Sequence, residues 1–145
     1  MVLAPDEAVI KVMYERITGD SNLEDITGGS VRLYGDGDVP ADPTFPYLVY
    51  DFRYDKIDKG RRDGDYLLDW FDDSGNSLTA WDIERELIVL LDEIQIDTDE
   101  AGLVTINNDF CNKVPEPSDS DVVHYASRWS IKFFAKDIVQ EINSR

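Results

Sequence analysis

The sequence predicts an α+β chain, and three observations carry that prediction. Apolar residues recur at helical spacing in 5–18 and again in 78–94. They alternate with period two in 65–72 and 122–134. Between these stretches stands Pro43-Thr44-Phe45-Pro46-Tyr47-Leu48-Val49-Tyr50-Asp51-Phe52-Arg53-Tyr54. Its prolines stop whatever precedes them, and an aromatic, β-branched run follows, the composition of a half-buried strand. Nothing in that run is a catalytic group.

The first helix is expected from Pro5 to about Thr18. Pro5 suits a first helical position, and Asp6 and Glu7 complement the helix N-terminus. Val9, Val12, Met13 and Arg16 lie at helical spacing, Ile17 closes the stripe, and Gly19 ends it. Residues 19–30 read as polar loop, with Gly28 and Gly29 as breakers. Val31-Arg32-Leu33-Tyr34 reads as a short strand, 35–43 as a loop, and 45–54 as the aromatic strand. Residues 55–64 form a polar hairpin connection. A strand follows at 65–72, with Tyr66, Leu68 and Trp70 on one face, and then a turn at 73–77.

The second helix spans roughly Leu78 to Ile94. Thr79 and Asp82 resemble a capping box with Asp in place of Glu. Ile83, Leu87, Leu90, Leu91 and Ile94 form its apolar stripe, while Glu84, Arg85, Asp92 and Glu93 cover other faces. After a loop at 97–102 comes a strand at 103–107, then a second loop from Asn108 to Asp121 with Pro115 and Pro117. The last strand, 122–134, places Val123, Tyr125, Trp129, Ile131 and Phe133 on one face. His124, Arg128, Ser130 and Lys132 fall on the other. Residues 135–145 carry no assignment.

The chain has 145 residues, the length of one domain, so a single domain over 1–145 is expected. Its hydrophobic fraction of 42% is enough for a real core. No apolar run reaches the roughly 18 residues of a membrane-spanning helix. The N-terminus lacks a basic n-region and a long apolar h-region, so no secretory signal is expected. The one cysteine, Cys111, cannot form an internal disulfide and reads as a small, partly buried filler.

The formal net charge is −17. Aspartates are 22 of the 31 acids, and lysines only 6 of the 14 bases. An acidic surface can serve a basic partner or mimic nucleic acid. It can equally stay hydrated in a host cytoplasm at very high salt, where a Debye length of roughly 3 Å at 1 M screens self-repulsion. The acids are spread along the chain rather than gathered in a tail, which favours solvent adaptation. Non-specific binding to phosphate backbones is disfavoured throughout. Against this background Lys56, Lys59, Arg61 and Arg62 form the one concentrated basic spot. It reads either as a solvated hairpin tip or as a contact arm reaching an acidic neighbour.

Reactive constellations are sparse. Asp97-Thr98-Asp99-Glu100-Ala101-Gly102 matches a calcium loop at its first, third and sixth positions and fails at the fifth and twelfth, Ala101 and Asn108. With His124 the sole histidine and Cys111 the sole cysteine, zinc sites have little support. His124 reads as an ordinary half-exposed histidine on a polar strand face. No glycine-rich loop precedes a helix in phosphate-cradling fashion. No metal, cofactor or catalytic residue is expected, and the chain does not read as an enzyme.

The layout as a whole has a match. An N-terminal helix, a short strand, a Pro-containing loop and the Phe45-Pro46-Tyr47-Leu48-Val49-Tyr50 strand are followed by a polar hairpin. A strand ending Asp69-Trp70-Phe71 then leads to a turn and helix, and a long final strand closes the pattern. This resembles the tail completion, or tail terminator, proteins of long-tailed, siphovirus-like viruses, over almost the whole chain. Phe45-Pro46-Tyr47 with the later Trp70 is its most specific local element. The acidity and the acidic 97–100 loop depart from the pattern, and fit a virus of a halophilic, archaeal host.

The resemblance implies an antiparallel β-sheet packed against two main α-helices, with a long β-hairpin. It implies a self-associating ring, usually a hexamer, that caps the tail tube and stops its polymerisation. Such a ring joins the tail to the head-completion proteins of the neck, and DNA passes through its lumen without specific binding. It implies a virion location after assembly in the host cytoplasm, no membrane partner and no catalytic residues. Lys56, Lys59, Arg61 and Arg62 are the candidate subunit-interface residues, on the contact-arm reading of the hairpin. Two rivals stand beside this: another head–tail connector of the neck, or an acidic DNA-mimic inhibitor.

Overall fold

A computed structural model describes residues 4–58, 60–117 and 120–134, and the side chains of 56–58 lie outside the description. The chain is α+β, and its described residues form three helices and a six-stranded, mostly antiparallel sheet. The elements run α1 (Pro5–Thr18), α2 (Ser21–Ile26), β1 (Leu33–Gly35), β2 (Tyr47–Asp58), β3 (Arg61–Asp72), α3 (Leu78–Leu91), β4 (Ile94–Thr98), β5 (Gly102–Val114) and β6 (Val123–Phe134). Across the sheet the order is β1-β2-β3-β6-β5-β4. Among the described residues only the β1–β2 pair is parallel, which departs from the antiparallel expectation.

The core lies between one sheet face and the helices. Tyr66, Leu68 and Trp70 of β3 are buried, as are Val123, Tyr125, Trp129, Ile131 and Phe133 of β6, so both period-two readings hold. Val9, Met13 and Ile17 of α1 meet them with Leu23 of α2 and Ile83, Leu87 and Leu91 of α3. Both buried indole N–H groups in this layer are paired. Trp129 Nε1 donates to Ser127 Oγ at 2.8 Å, and that hydroxyl donates to the Leu68 carbonyl at 2.7 Å. Trp70 Nε1 donates to the Ala80 carbonyl at 3.1 Å, tying β3 to α3. Arg16 Nε donates to the Leu90 carbonyl at 2.9 Å, tying α1 to the end of α3.

Several boundaries differ from the sequence reading. The 19–30 loop contains α2: Asp20 caps it by accepting from Leu23 N at 3.1 Å, and buried Leu23 anchors it. Six residues are too few for a helical period to be seen. The second helix stops at Leu91, because Asp92 turns extended and Glu93 adopts a left-handed φ of 57°. Ile94, assigned to its stripe, belongs instead to β4, which takes the first two residues of the presumed 97–102 loop, while β5 takes Gly102. The 108–121 loop shrinks because β5 runs on to Val114 by pairing with β6. The Thr79–Asp82 capping box is not formed. The N-cap is Ser77, and Leu78 N donates instead to Asn76 Oδ1 at 3.0 Å. Residues 135–145 lie outside the description. No helix among the described residues is long and apolar enough to cross a membrane.

Candidate functional site

The aromatic strand and its hairpin organise the outward sheet face. The Phe45–Pro46 peptide is cis, and β2 starts at Tyr47. From there β2 and β3 pair without interruption from Tyr47↔Phe71 to Lys56↔Arg62, with a bulge before Asp58↔Arg61. The 55–64 connection is therefore mostly strand, with Gly60 in a turn just before β3. Lys59 lies outside the described residues. Gly60 has a φ of 89°, a conformation that favours glycine at a tight reversal.

Gly64 makes this hairpin possible in another way. A Cβ there would sit 2.8 Å from both the Arg53 carbonyl and Phe52 Cε1. The missing side chain lets Phe52 lie over the strand. Phe52 then meets Phe133 at 5.9 Å, and Phe133 meets Tyr54 edge-on at 5.6 Å. The result is an aromatic cluster of Phe52, Tyr54 and Phe133 near the hairpin tip.

The four sequence-assigned interface residues separate under this geometry. Successive side chains in a strand point to opposite faces. Arg61 stands exposed, with its Nε 3.5 Å from Asp63 Oδ1. Arg62 turns under the sheet, is only 8% exposed, and donates from Nη1 to the Arg61 carbonyl at 3.2 Å. Lys56 faces Arg62 in the backbone register, and its side chain, like all of Lys59, lies outside the description. Beside the tip a shallow pocket of about 480 Å³ is lined by Arg53, Asp55, Asp63, Gly64, Ser130 and Lys132. Its walls mix both signs of charge.

At the other end of the same face, an aromatic row crosses four strands. Tyr34 of β1 meets Tyr47 of β2 at 6.2 Å. Tyr47 stacks on Phe71 of β3 at 4.9 Å, and Phe71 stacks on the His124 ring of β6 at 4.1 Å. His124 Nε2 lies 2.8 Å from Asp69 Oδ2, and Nδ1 lies 3.0 Å from Glu116 Oε1. Its side chain is 13% exposed, so it is not the half-exposed histidine of the sequence reading. Both partners accept hydrogen bonds only, and only the imidazolium donates from both nitrogens. Burial works against that charge, but Asp69 and Glu116 outweigh it and hold the histidine above its ordinary pKa. The cluster fastens the 115–117 segment to the sheet. Only the polar face of the last strand hinted at it, since Asp69 is distant in sequence.

Sequence reasoning also missed the outer side of α3. Leu78, Trp81, Ile88 and Val89 are 63%, 49%, 38% and 74% exposed. The available signal was an apolar sector wider than one core-facing stripe. Trp81 Nε1 donates to Tyr125 Oη at 2.6 Å, which orients the indole at the surface. Among the described residues, no group of three or more His, Cys, Asp and Glu side chains is arranged to hold a metal ion. The Asp97–Glu100 segment forms the end of β4 and its turn.

No family model matches the chain, and no curated protein matches it. Among solved structures, the fold is similar to that of a chain in the virion of a native gene transfer agent particle. The likeness covers 92% of this chain and 99% of that one, with a TM-score of 0.73 at 15% sequence identity. At that identity the likeness is one of fold.

Proposed function

We propose that this protein is a structural component of a phage-like virion, acting as a ring-forming tail terminator. The observation that carries this reading is the fold likeness to a virion component over nearly the full length of both chains. The order of elements in the sequence supports the same assignment independently. In this role residues 1–145 work as one unit. A closed ring, a hexamer by the resemblance, caps the tail tube, stops its growth and presents its far side to the head-completion proteins of the neck. It functions by surface complementarity rather than catalysis.

The charge suits that task. A subunit of net charge −17 repels phosphates, so DNA slides through a lumen without sticking. The Asp-rich, Lys-poor surface fits assembly in a halophilic host, where molar salt screens repulsion between subunits. Arg61 and its hairpin neighbours are the proposed contacts between subunits. Negative-stain imaging of the purified chain at high salt tests this: rings with an open centre are expected, and isolated particles without rotational symmetry would refute it.

A further inference from the structure

Neither margin of the sheet is straight. On one margin β1 pairs with β2 only along Leu48–Tyr50. Among the described residues, β2 therefore has no strand on that side from Asp51 onward. On the other margin β4 pairs with β5 only along Gly102–Ile106, and among the described residues β5 is open from Asp109 to Val114. Unpaired strand edges of this kind are templates for another chain.

The two steps run in opposite senses. Arg61 pairs with Phe134, and Phe134 N donates to the Ala101 carbonyl at 2.9 Å. The hairpin tip and the β4–β5 turn thus lie at the same end of the sheet. At that end the β2 margin is recessed and β4 projects. At the opposite end β1 projects and β5 is recessed. A second copy set alongside in the same orientation brings β4 into the recess beside β2, and β1 into the recess beside β5.

Charge matches shape. Residues 55–62 carry four bases, of which Arg62 is buried, and two acids, while 92–100 carry five acids and no base. These two segments meet where β4 enters the recess. The apolar flank of α3 lies on the same side as the β5 recess. Glu84 of α3 sits against the Cys111 thiol of β5, whereas Glu86 on the opposite flank accepts from Asn22 Nδ2 of α2 at 3.3 Å. Trp81 and Ile88 therefore look outward over β5.

We infer that a second copy of this chain docks head-to-tail here, its basic hairpin margin seated on the acidic β4 margin and its β1 end beside β5 under the exposed flank of α3. Such a contact uses two different patches of each subunit and repeats around a ring when its rotation closes. The inference rests on the ring reading and specifies its interface.

Charge exchange tests it on the full chain at moderate salt, with light scattering as readout and thermal melts as a check on folding. Arg61→Asp changes an exposed residue at the start of β3, and Asp99→Arg an exposed turn residue. Each alone is expected to weaken self-association about tenfold or more, and the combined variant to recover toward wild type. Wild-type assembly that ignores both single changes, or a combined variant no better than the singles, overturns this interface while leaving a ring intact. A wild-type chain that never self-associates but captures an extended segment of another virion protein on β5 overturns the ring reading itself.

Discussion

His124 Nε2 and Asp69 Oδ2 lie 2.8 Å apart across β6 and β3, and Glu116 holds the opposite ring nitrogen at 3.0 Å. The charged ring satisfies both carboxylates; the neutral ring faces one of them with a lone pair. The folded state therefore raises the histidine pKa. Its contribution is fully present below the unfolded value of about 6.5 and is lost as pH rises through the higher folded value. Urea unfolding should give a lower unfolding free energy at pH 8.5 than at pH 5.5, by about 1 kcal/mol, since Asp69 is partly exposed. His124→Gln should reduce that difference. Equal pH dependence in both proteins would count against the clamp.

Gly64 should tolerate no side chain. Even Gly64→Ala puts a carbon 2.8 Å from backbone and ring atoms that are themselves packed. A loss of about 1–3 kcal/mol is expected, read as a fall in melting temperature. An unchanged melt would mean that the Phe52 ring moves aside freely.

Tyr66 stacks on Tyr50 at 5.6 Å and is fully buried, and its hydroxyl has no hydrogen-bond partner among the described residues. Burial, with a smaller effect of Tyr50, pushes its pKa well above the ordinary value. Tyr66→Phe keeps the ring and removes the unsatisfied group. It should be neutral or stabilise by about 1 kcal/mol in denaturant unfolding. A loss above that would reveal a hydroxyl partner.

Cys111 should be a poor nucleophile in the folded protein. Burial, then the Glu84 carboxylate, pushes its thiol up to about 11. Iodoacetamide labelling at pH 8 should be slow until denaturant is added, and should accelerate only at strongly alkaline pH. Rapid labelling of the folded chain at pH 8 would contradict the packing of α3 on β5.

The parts of this fold that are legible in the sequence are those where burial imposes a period. Tyr66, Leu68 and Trp70, or Tyr125, Trp129 and Ile131, alternate because one face meets the helices. Asn107 to Lys113 show no such pattern, since that half of β5 is held by backbone pairing with β6. Ile94 fits both a helical stripe and a strand, and only the left-handed Glu93 decides between them. The basic cluster was visible as composition, but strand alternation separates Arg61 from Arg62. His124 needed tertiary structure, because its two carboxylates come from different parts of the chain.

Light scattering of the purified full chain across a salt series tests the central claim most directly. Long-range repulsion between acidic subunits weakens as the Debye length falls from about 10 Å at 0.1 M to roughly 3 Å at 1 M, while contact pairs and apolar burial persist. The expected result is a shift from monomer at low salt to one closed oligomer of fixed mass, a hexamer, at molar salt. A monomer at every salt concentration, or an oligomer that dissociates as salt rises, would contradict the account.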